Sequence, residues 1–314
     1  MIPIVCTADD EYIQYCHIML CSMMENTDSF LHIYFIYNGR VSEKRKRALI
    51  RLVKKRQHEI TFLLIDDTAI GEVPLHGYIS INTYYRLFLE ELLPKELSKV
   101  IYIDADVIVK KDIKELFALP MADNVPLLAA RDCLTKQGLL HYGLAQDKEK
   151  FYFNAGILVL NLDYWRKNTV KQQAILYIEQ NKDKLLQRDQ DVLNHLFRGK
   201  AKEFDIRWNY QVLHILKTEE DFQNNALDEF QKESILKQEA WAIHYTGEFK
   251  PWMWRYKFSY AEKFWRPYYY YKKKTVYRFS KPTECPSYLY RFLFDSKQFA
   301  KKVYLYLFKK ALKT

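Results

Sequence analysis

The sequence predicts an α/β chain built on a mostly parallel, twisted sheet with helices on both faces. Three observations predict it. Short β-branched and aromatic runs at residues 2–7, 31–37 and 60–65 alternate with helical patterns, the strand–helix–strand order that a parallel sheet requires. Apolar residues make up 49% of 314, enough to cover such a sheet on both faces. Gly and Pro number only 8 and 9, far below averages of roughly 7% and 5%, which excludes collagen-like, Gly/Ser-rich and Pro-rich disordered chains.

The elements follow in order. Residues 2–7 (IPIVCT) form a short apolar run that reads as a buried strand. Asp9 opens a helical pattern in which Tyr12, Tyr15, Cys16, Met19, Leu20 and Met23 recur at three- and four-residue spacing. Residues 31–37 (LHIYFIY) read as a strand that stops at the Asn38-Gly39 turn signal. Ser42 then caps a helix that is very basic from Lys44 to Arg56, and 60–65 (ITFLLI) is a third strand. A helix is expected over 82–93, halted by Pro94; strands at 99–109, 125–130 and 155–162; helices at 169–182 and 189–198. Residues 203–240 read as polar and irregular. In sheets of this kind ligands sit at the carboxyl ends of the strands, which points to Thr7–Tyr12 and to the residues after Ile103.

Charge is distributed unevenly. Residues 251–314 hold 16 Lys and Arg against 3 Asp and Glu, a charge of +13, so the preceding 250 carry −3. A basic tail of this kind seeks a polyanion, either a membrane surface or a nucleic acid. The tail has no zinc, RNA-recognition or helix-turn-helix pattern, so a membrane surface is expected and nucleic acid is not. No run approaches 18 apolar residues, and the N-terminus lacks the basic start of a signal peptide. The five cysteines include no CxxC pair and read as reduced thiols of a cytosolic protein.

Four segments carry candidate chemistry. Asp104-Ala105-Asp106 follows the apolar run VIYI; in an extended segment residues i and i+2 share a side, so two carboxylates would converge and call for a divalent cation. The residues alone leave open two solvated acids at a strand end. In His244-Tyr-Thr-Gly247 through Lys250-Pro-Trp252, Gly247 permits close backbone approach and Lys250 is a point charge suited to phosphate; His244 reads equally as a histidine satisfied in the core. Asp189-Gln190-Asp191 opens a helix, where acids also serve as caps. Phe153-Asn154-Ala155-Gly156 precedes a strand and reads by itself as a tight turn.

Together with Thr7-Ala8-Asp9-Asp10-Glu11-Tyr12 and Ser80-Ile-Asn-Thr83-Tyr84-Tyr85-Arg86-Leu87, these blocks resemble glycosyltransferase family 8, in the family's order over about residues 1–252. The nearest resemblance is to bacterial lipopolysaccharide α-galactosyl- and α-glucosyltransferases, with glycogenin more distant. The resemblance implies a GT-A catalytic domain over 1–250 and a basic, aromatic, helical C-terminal extension over 251–314. It implies a retaining UDP-hexose transferase, with galactose favoured over glucose, acting on a lipid-linked, lipopolysaccharide or protein-linked glycan. It places Ala8, Asp9, Glu11, Tyr12, Ala105, Gly247 and Lys250 against the nucleotide, although Glu11 stands where the family often has Asn. It places Arg86, Asp104, Asn154, Ala155, Asp189 and Gln190 against the donor sugar, with Gln190, Asp189 and Arg86 as catalytic residues. It implies metal ligation by Asp104, Asp106 and His244, a carboxylate–imidazole set that suits Mn2+ better than Mg2+. Tyr78 stands where some relatives carry His.

The alternatives are a catalytically silent sugar-nucleotide or glycan-binding protein on the same fold and a nucleic-acid platform in the tail. The expected location is cytoplasmic, peripheral on the inner face of the plasma membrane. Trp252, Trp254, Trp265 and Tyr268 to Tyr271 beside Lys272 to Lys274 would sit at headgroup depth, and residues from Ser287 would form an interfacial helix. Residues 252–265 are expected in part to pack on the body.

Overall fold

The structure is a computed structural model that describes residues 1–66, 68, 81–132, 152–212, 239–247, 250–253 and 262–275. Tyr78, Ser80, Trp254 and everything from residue 276 onward, including the helix expected from Ser287, lie outside the described residues.

The central sheet has seven strands: β1 (Ile2–Thr7), β2 (Leu31–Tyr37), β3 (Glu59–Leu64), β4 (Lys99–Ile103), β6 (Leu127–Arg131), β7 (Phe153–Asn161) and β8 (Lys202–Glu203). Their order is β3-β2-β1-β4-β7-β6-β8. All pairings are parallel except those of β7, which runs antiparallel between β4 and β6. The predicted mostly parallel sheet is therefore present. Alternation along each strand feeds two cores: Ile2, Ile4 and Cys6 face one layer, with α1 (Ile13–Glu25) and α2 (Glu43–Lys55). Val5, Tyr102 and Leu158 face the other. That second layer holds the 3-10 turn Ile81–Phe88, its continuation α3 (Leu89–Leu92), α5 (Leu162–Lys167), α6 (Val170–Asn181) and α7 (Asp189–Leu196). Burial on both faces explains why the strands read as unbroken apolar runs.

Four expectations are corrected. Helix α1 begins at Ile13, because the Asp9 carboxylate accepts the Tyr12 N–H (2.8 Å) and holds 9–12 as a turn. The strand expected over 99–109 is two strands in two sheets, β4 and β5 (Val107–Val109), and Asp104 and Asp106 lie in the bend between them. Phe153–Gly156 is the start of β7 itself and no turn. The segment 82–93 is mostly 3-10 helix. Further on, α4 (Ile113–Phe117) follows β5. A small second sheet, β5-β10-β9, adds β9 (Tyr210–Gln211), inside the stretch 203–240 that reads as irregular, and β10 (Ala242–His244), just after it.

The last described helix, α8 (Glu262–Lys274), packs on α1. Phe264, Tyr268 and Tyr271, four and three residues apart, form one buried stripe against Ile18 and Cys21. Trp252 stacks on Tyr15 with ring centroids 3.6 Å apart. Trp252, Tyr268 and Tyr271 are thus buried in the body, and of the expected headgroup rings that are described only Tyr270 is exposed. Burying a ring of this size is worth about 1.5–3 kcal/mol, which favours packing over a place at the surface.

Candidate active site

The carboxyl ends of β1 and β4 form a cleft. Thr7, Ala8, Asp9 and Tyr12 line one side; Asn82, Thr83, Arg86, Asp104, Ala105, Asp106 and Lys250 complete it. The Tyr12 ring is braced edge-on by Tyr15 and Trp252, with centroids 5.3 and 5.8 Å away. Glu11 points to solvent and Gly247, with φ +81°, lies on the loop approaching Lys250; neither lines the cleft.

Asp104, Asp106 and His244 each offer a ligand atom, all within 4.8 Å of one another. Sequence spacing alone does not achieve this. The chain leaves one sheet at Ile103 and joins the other at Val107, and Val107 pairs with His244. The Tyr245 N–H donates to the Asp106 carbonyl (3.0 Å), locking the bend to the strand that carries the imidazole. Gly156 makes the room: a Cβ there would come 2.1 Å from His244 Cε1. Burial raises the Asp104 carboxyl above its ordinary value, only partly offset by Arg86. Burial acts on Asp106 in the same sense, but Lys250 (2.5 Å) and His244 (3.4 Å) outweigh it and hold that carboxyl well below the usual range. Two oxygen donors and a nitrogen around a space shaped by a glycine fit a divalent cation.

Arg86 ties this trio to the second group of predicted residues. Its guanidinium lies 4.3 Å from the Tyr102 ring centre. It pairs with Asp104 (3.0 Å) and Asp189 (3.0 Å), and donates to the Thr83 carbonyl (2.9 Å) and the Ala155 carbonyl. Burial pushes Asp189 up to about 6 despite Arg86. The acids that open α7 do not all cap it. Asp191 accepts from the Gln187 N–H (2.7 Å) and the Tyr152 hydroxyl (2.5 Å), bracing a bend at Arg188 whose φ is +52°. Such a conformation costs a non-glycine residue about 1–3 kcal/mol. The bend turns Asp189 and Gln190 inward.

A buried hydrogen-bond chain joins the imidazole to Gln190 through two residues that sequence reasoning missed. Asp132 Oδ2 accepts from Gln190 Nε2 (3.0 Å) and Asn154 Nδ2 (3.1 Å). Asn154 Oδ1 therefore faces the Gly156 N–H (3.0 Å) and Asn209 Nδ2 (2.9 Å). Asn209 Oδ1 is left for His244 Nδ1 at 2.8 Å. A carboxylate only accepts and a backbone N–H only donates, so each amide has one orientation. His244 consequently donates from Nδ1, which leaves Nε2 facing the two aspartates. Gln190 Oε1 accepts the Ala155 N–H (2.9 Å). Asp132 Oδ1 is buried without a partner among the described residues. The only advance signal for Asp132 is its place just after β6, and Asn209 has none, because it ends a single 3-10 turn, Ile206–Asn209, inside a stretch that reads as irregular.

Residues 3–254 match the family model described as Glycosyl transferase family 8. The chain belongs to that family. General stress protein A of Bacillus subtilis is 27% identical over 87% of this chain and 95% of its own length. A lipopolysaccharide 1,2-glucosyltransferase of Escherichia coli is 26% identical over 78% and 71%. Among solved structures, the galactosyltransferase LgtC in complex with donor and acceptor sugar analogues superimposes with a TM-score of 0.76 at 26% identity, covering 90% of this chain and 98% of that one. The family 8 enzyme described here accordingly has the GT-A fold, with the cleft at the carboxyl ends of its parallel strands.

Proposed function

We propose that this family 8 glycosyltransferase moves a hexose, galactose before glucose, from a UDP-sugar to a glycan acceptor with retention of the α configuration and with Mn2+ bound by Asp104, Asp106 and His244. The observation that carries the reading is the convergence of that trio within 4.8 Å beside a cleft lined by Asp9, Tyr12 and Lys250. In this reading Ala8, Asp9 and Tyr12 hold the base; Glu11, Ala105 and Gly247 belong to the same nucleotide end. Asn154, Ala155, Asp189 and Gln190 hold the sugar. The catalytic unit is 1–250, and the extension 251–314 reaches an anionic membrane surface through the part beyond residue 275.

The bound cation supplies positive charge to the diphosphate as it leaves. Lys250, already desolvated against Asp106, adds a second charge on that side without reorganising. Arg86 keeps Asp104 and Asp189 paired and fixed. Asp189 accepts hydrogen bonds from sugar hydroxyls once ionised. The Gln190 amide oxygen is engaged by the Ala155 N–H and its nitrogen by Asp132, which favours direct front-face displacement over a glycosyl–Gln190 intermediate. The acceptor oxygen bonds to the anomeric carbon on the face the phosphate leaves, the carbon–oxygen bond to the β-phosphate breaks, and the acceptor's proton passes to the departing phosphate oxygen. Gln190 donates no electron pair in this scheme and shapes the face of the sugar.

The test is release of UDP from a panel of UDP-sugars with Mn2+, Mg2+ or chelator. UDP-galactose with Mn2+ should turn over fastest. Turnover in chelator, or a preference for a non-uridine donor, would overturn the assignment.

A further inference from the structure

The basic helix α2 takes no part in the site, and its charges are sorted by face. Its inward side buries Leu49, Leu52 and Val53. The cations nearest that side are paired: Arg45 with Asp10 (3.3 Å), Lys46 with Glu43, and Arg56, just past the helix end, with Glu25 (3.1 Å). Lys44, Arg47, Arg51, Lys54 and Lys55 are all exposed and have no ion pair among the described residues. At 3.6 residues per turn these five fall within an arc of roughly 100° opposite the buried stripe. They are three and four residues apart, so Lys44 meets Arg47, Arg47 meets Arg51, and Arg51 meets Lys54 and Lys55, each a like-charge contact that works against the helix. Glu43 is the only acid in the helix. An external negative surface would relieve these like-charge contacts.

Apolar groups rim the stripe where α2 ends. The chain passes from α2 into β3 at the amino end of the parallel sheet, where Met1 and Phe30 precede β1 and β2 and are 65% and 41% exposed. Phe30 lies beside His58, and the Arg56 guanidinium donates to the Lys274 carbonyl (3.4 Å) at the end of α8. That brings the end of α8, where Lys274 pairs with Glu25 and lies over the exposed Tyr270 ring at 4.9 Å, next to the end of α2. Cations next to exposed apolar and aromatic groups suit the headgroup region of a bilayer, where the charge meets anionic phosphate and the ring enters the interface.

We infer that the outward face of α2, with Phe30 at its far end and Tyr270 of α8 near by, is a docking surface for an anionic phospholipid bilayer, separate from the residues beyond 275. The near end of the stripe adjoins the cleft: the Ser42 N–H donates to Asp10 (2.8 Å), next to Asp9. Docking by this face holds the cleft rim at headgroup level, within reach of sugars close to a membrane.

The experiment is sedimentation of the full-length chain with phosphatidylcholine vesicles containing or lacking 30% phosphatidylglycerol, at low and high salt. The variant is Lys44→Gln, Arg47→Gln, Arg51→Gln, Lys54→Gln and Lys55→Gln together, with the tail intact. At about fivefold per cation near a charged surface, anionic-vesicle affinity should fall by at least about 100-fold. UDP-sugar turnover on a soluble acceptor should be unchanged and Tm equal or higher, since like-charge contacts are removed. A control that neutralises Lys182, Lys184, Lys200 and Lys202 should bind as the parent does. Equal vesicle binding by the α2 variant, or equal binding of the parent to neutral vesicles, would overturn the proposal. So would a variant that loses affinity for homopolymeric RNA but not for vesicles, which would make the face a nucleic-acid surface. Turnover is measured separately, so a failed donor assignment does not affect this result.

Discussion

Asn209 holds His244 through a 2.8 Å hydrogen bond from Nδ1–H to its amide oxygen, and the orientation of that amide is dictated by Asp132 through Asn154. In the proposed reading, the metal-binding nitrogen and the sugar-facing amide of Gln190 are therefore set by one buried chain. Partners behind a ligating histidine fix its tautomer, and their loss typically costs about 10–100-fold in metal affinity. Asn209→Ala should weaken Mn2+ binding by that factor, read by titration of the ion with UDP present, while binding of UDP alone changes little. Asn209→Asp, which keeps the acceptor for His244, should retain more affinity than Asn209→Ala. Equal loss in both would show that the hydrogen bond to Nδ1 is not what matters.

Asp189 gives a pH signature in the metal-free protein. Its folded value of about 6 stands above the ordinary value of 3.8 because burial outweighs Arg86. Well below pH 3.8 the carboxyl is neutral in both folded and unfolded chains, and its contribution to stability is complete. As pH rises, the unfolded chain ionises first, so that contribution is lost until the folded group also ionises near pH 6. Relative to Asp189→Asn, the parent should lose stability across this window, by about 3 kcal/mol at 1.36 kcal/mol per pH unit. Denaturant unfolding of both proteins from pH 3.5 to 7.5 reads the difference directly. A flat difference would mean that Asp189 is better solvated than its 5% exposure implies.

Tyr12 and Asp189 should separate nucleotide binding from sugar handling. The Tyr12 ring lines the cleft and is held by Tyr15 and Trp252. If it stacks on uracil, Tyr12→Ala weakens UDP by about 1–3 kcal/mol, and Tyr12→Phe does not. Asp189→Ala should abolish transfer and leave UDP affinity within about tenfold. The reverse pattern in calorimetry would exchange the two assignments.

The framework was legible because β1 and β2 are buried on both faces and β3, at the sheet edge, partly so, and each writes that burial as an apolar run. The trio came from the family resemblance, since two acids two apart after VIYI also suit a solvated strand end and His244 also suits a core histidine. How they meet was not legible. Asp104 and Asp106 converge through a switch between sheets, and the second sheet rests on β9 and β10, two and three residues long. Strands so short carry no periodicity. Asn209 and Asp132 were missed because their meaning comes from the groups they face across the fold. The aromatic run after Pro251 misled in part, because amphipathic rings look alike in sequence whether they lie against α1 or in an interface.

Gly156 provides the sharpest test of the trio. It lies inside β7, where no turn requires a glycine, and its φ is not in the left-handed region. What requires glycine is space: a methyl group at this position would lie 2.1 Å from Cε1, 2.8 Å from Nδ1 and 2.9 Å from Nε2 of His244. Real Cβ contacts do not come this close, so the imidazole or the strand must move. β7 is hydrogen-bonded on both sides, to β4 and β6, and the Gly156 N–H and carbonyl are engaged by Asn154 Oδ1 and the Asp104 N–H. The ring is the more movable partner. Gly156→Ala should therefore displace His244 from the aspartates and break its bond to Asn209. Mn2+ affinity should fall by at least tenfold, about the loss expected for a misplaced ligand. The strand order is untouched, so UDP should still bind through the Tyr12 end of the cleft. Ion titration, UDP calorimetry and thermal unfolding on one preparation decide it: retained Mn2+ affinity in a folded Gly156→Ala protein would remove His244 from the ligand set.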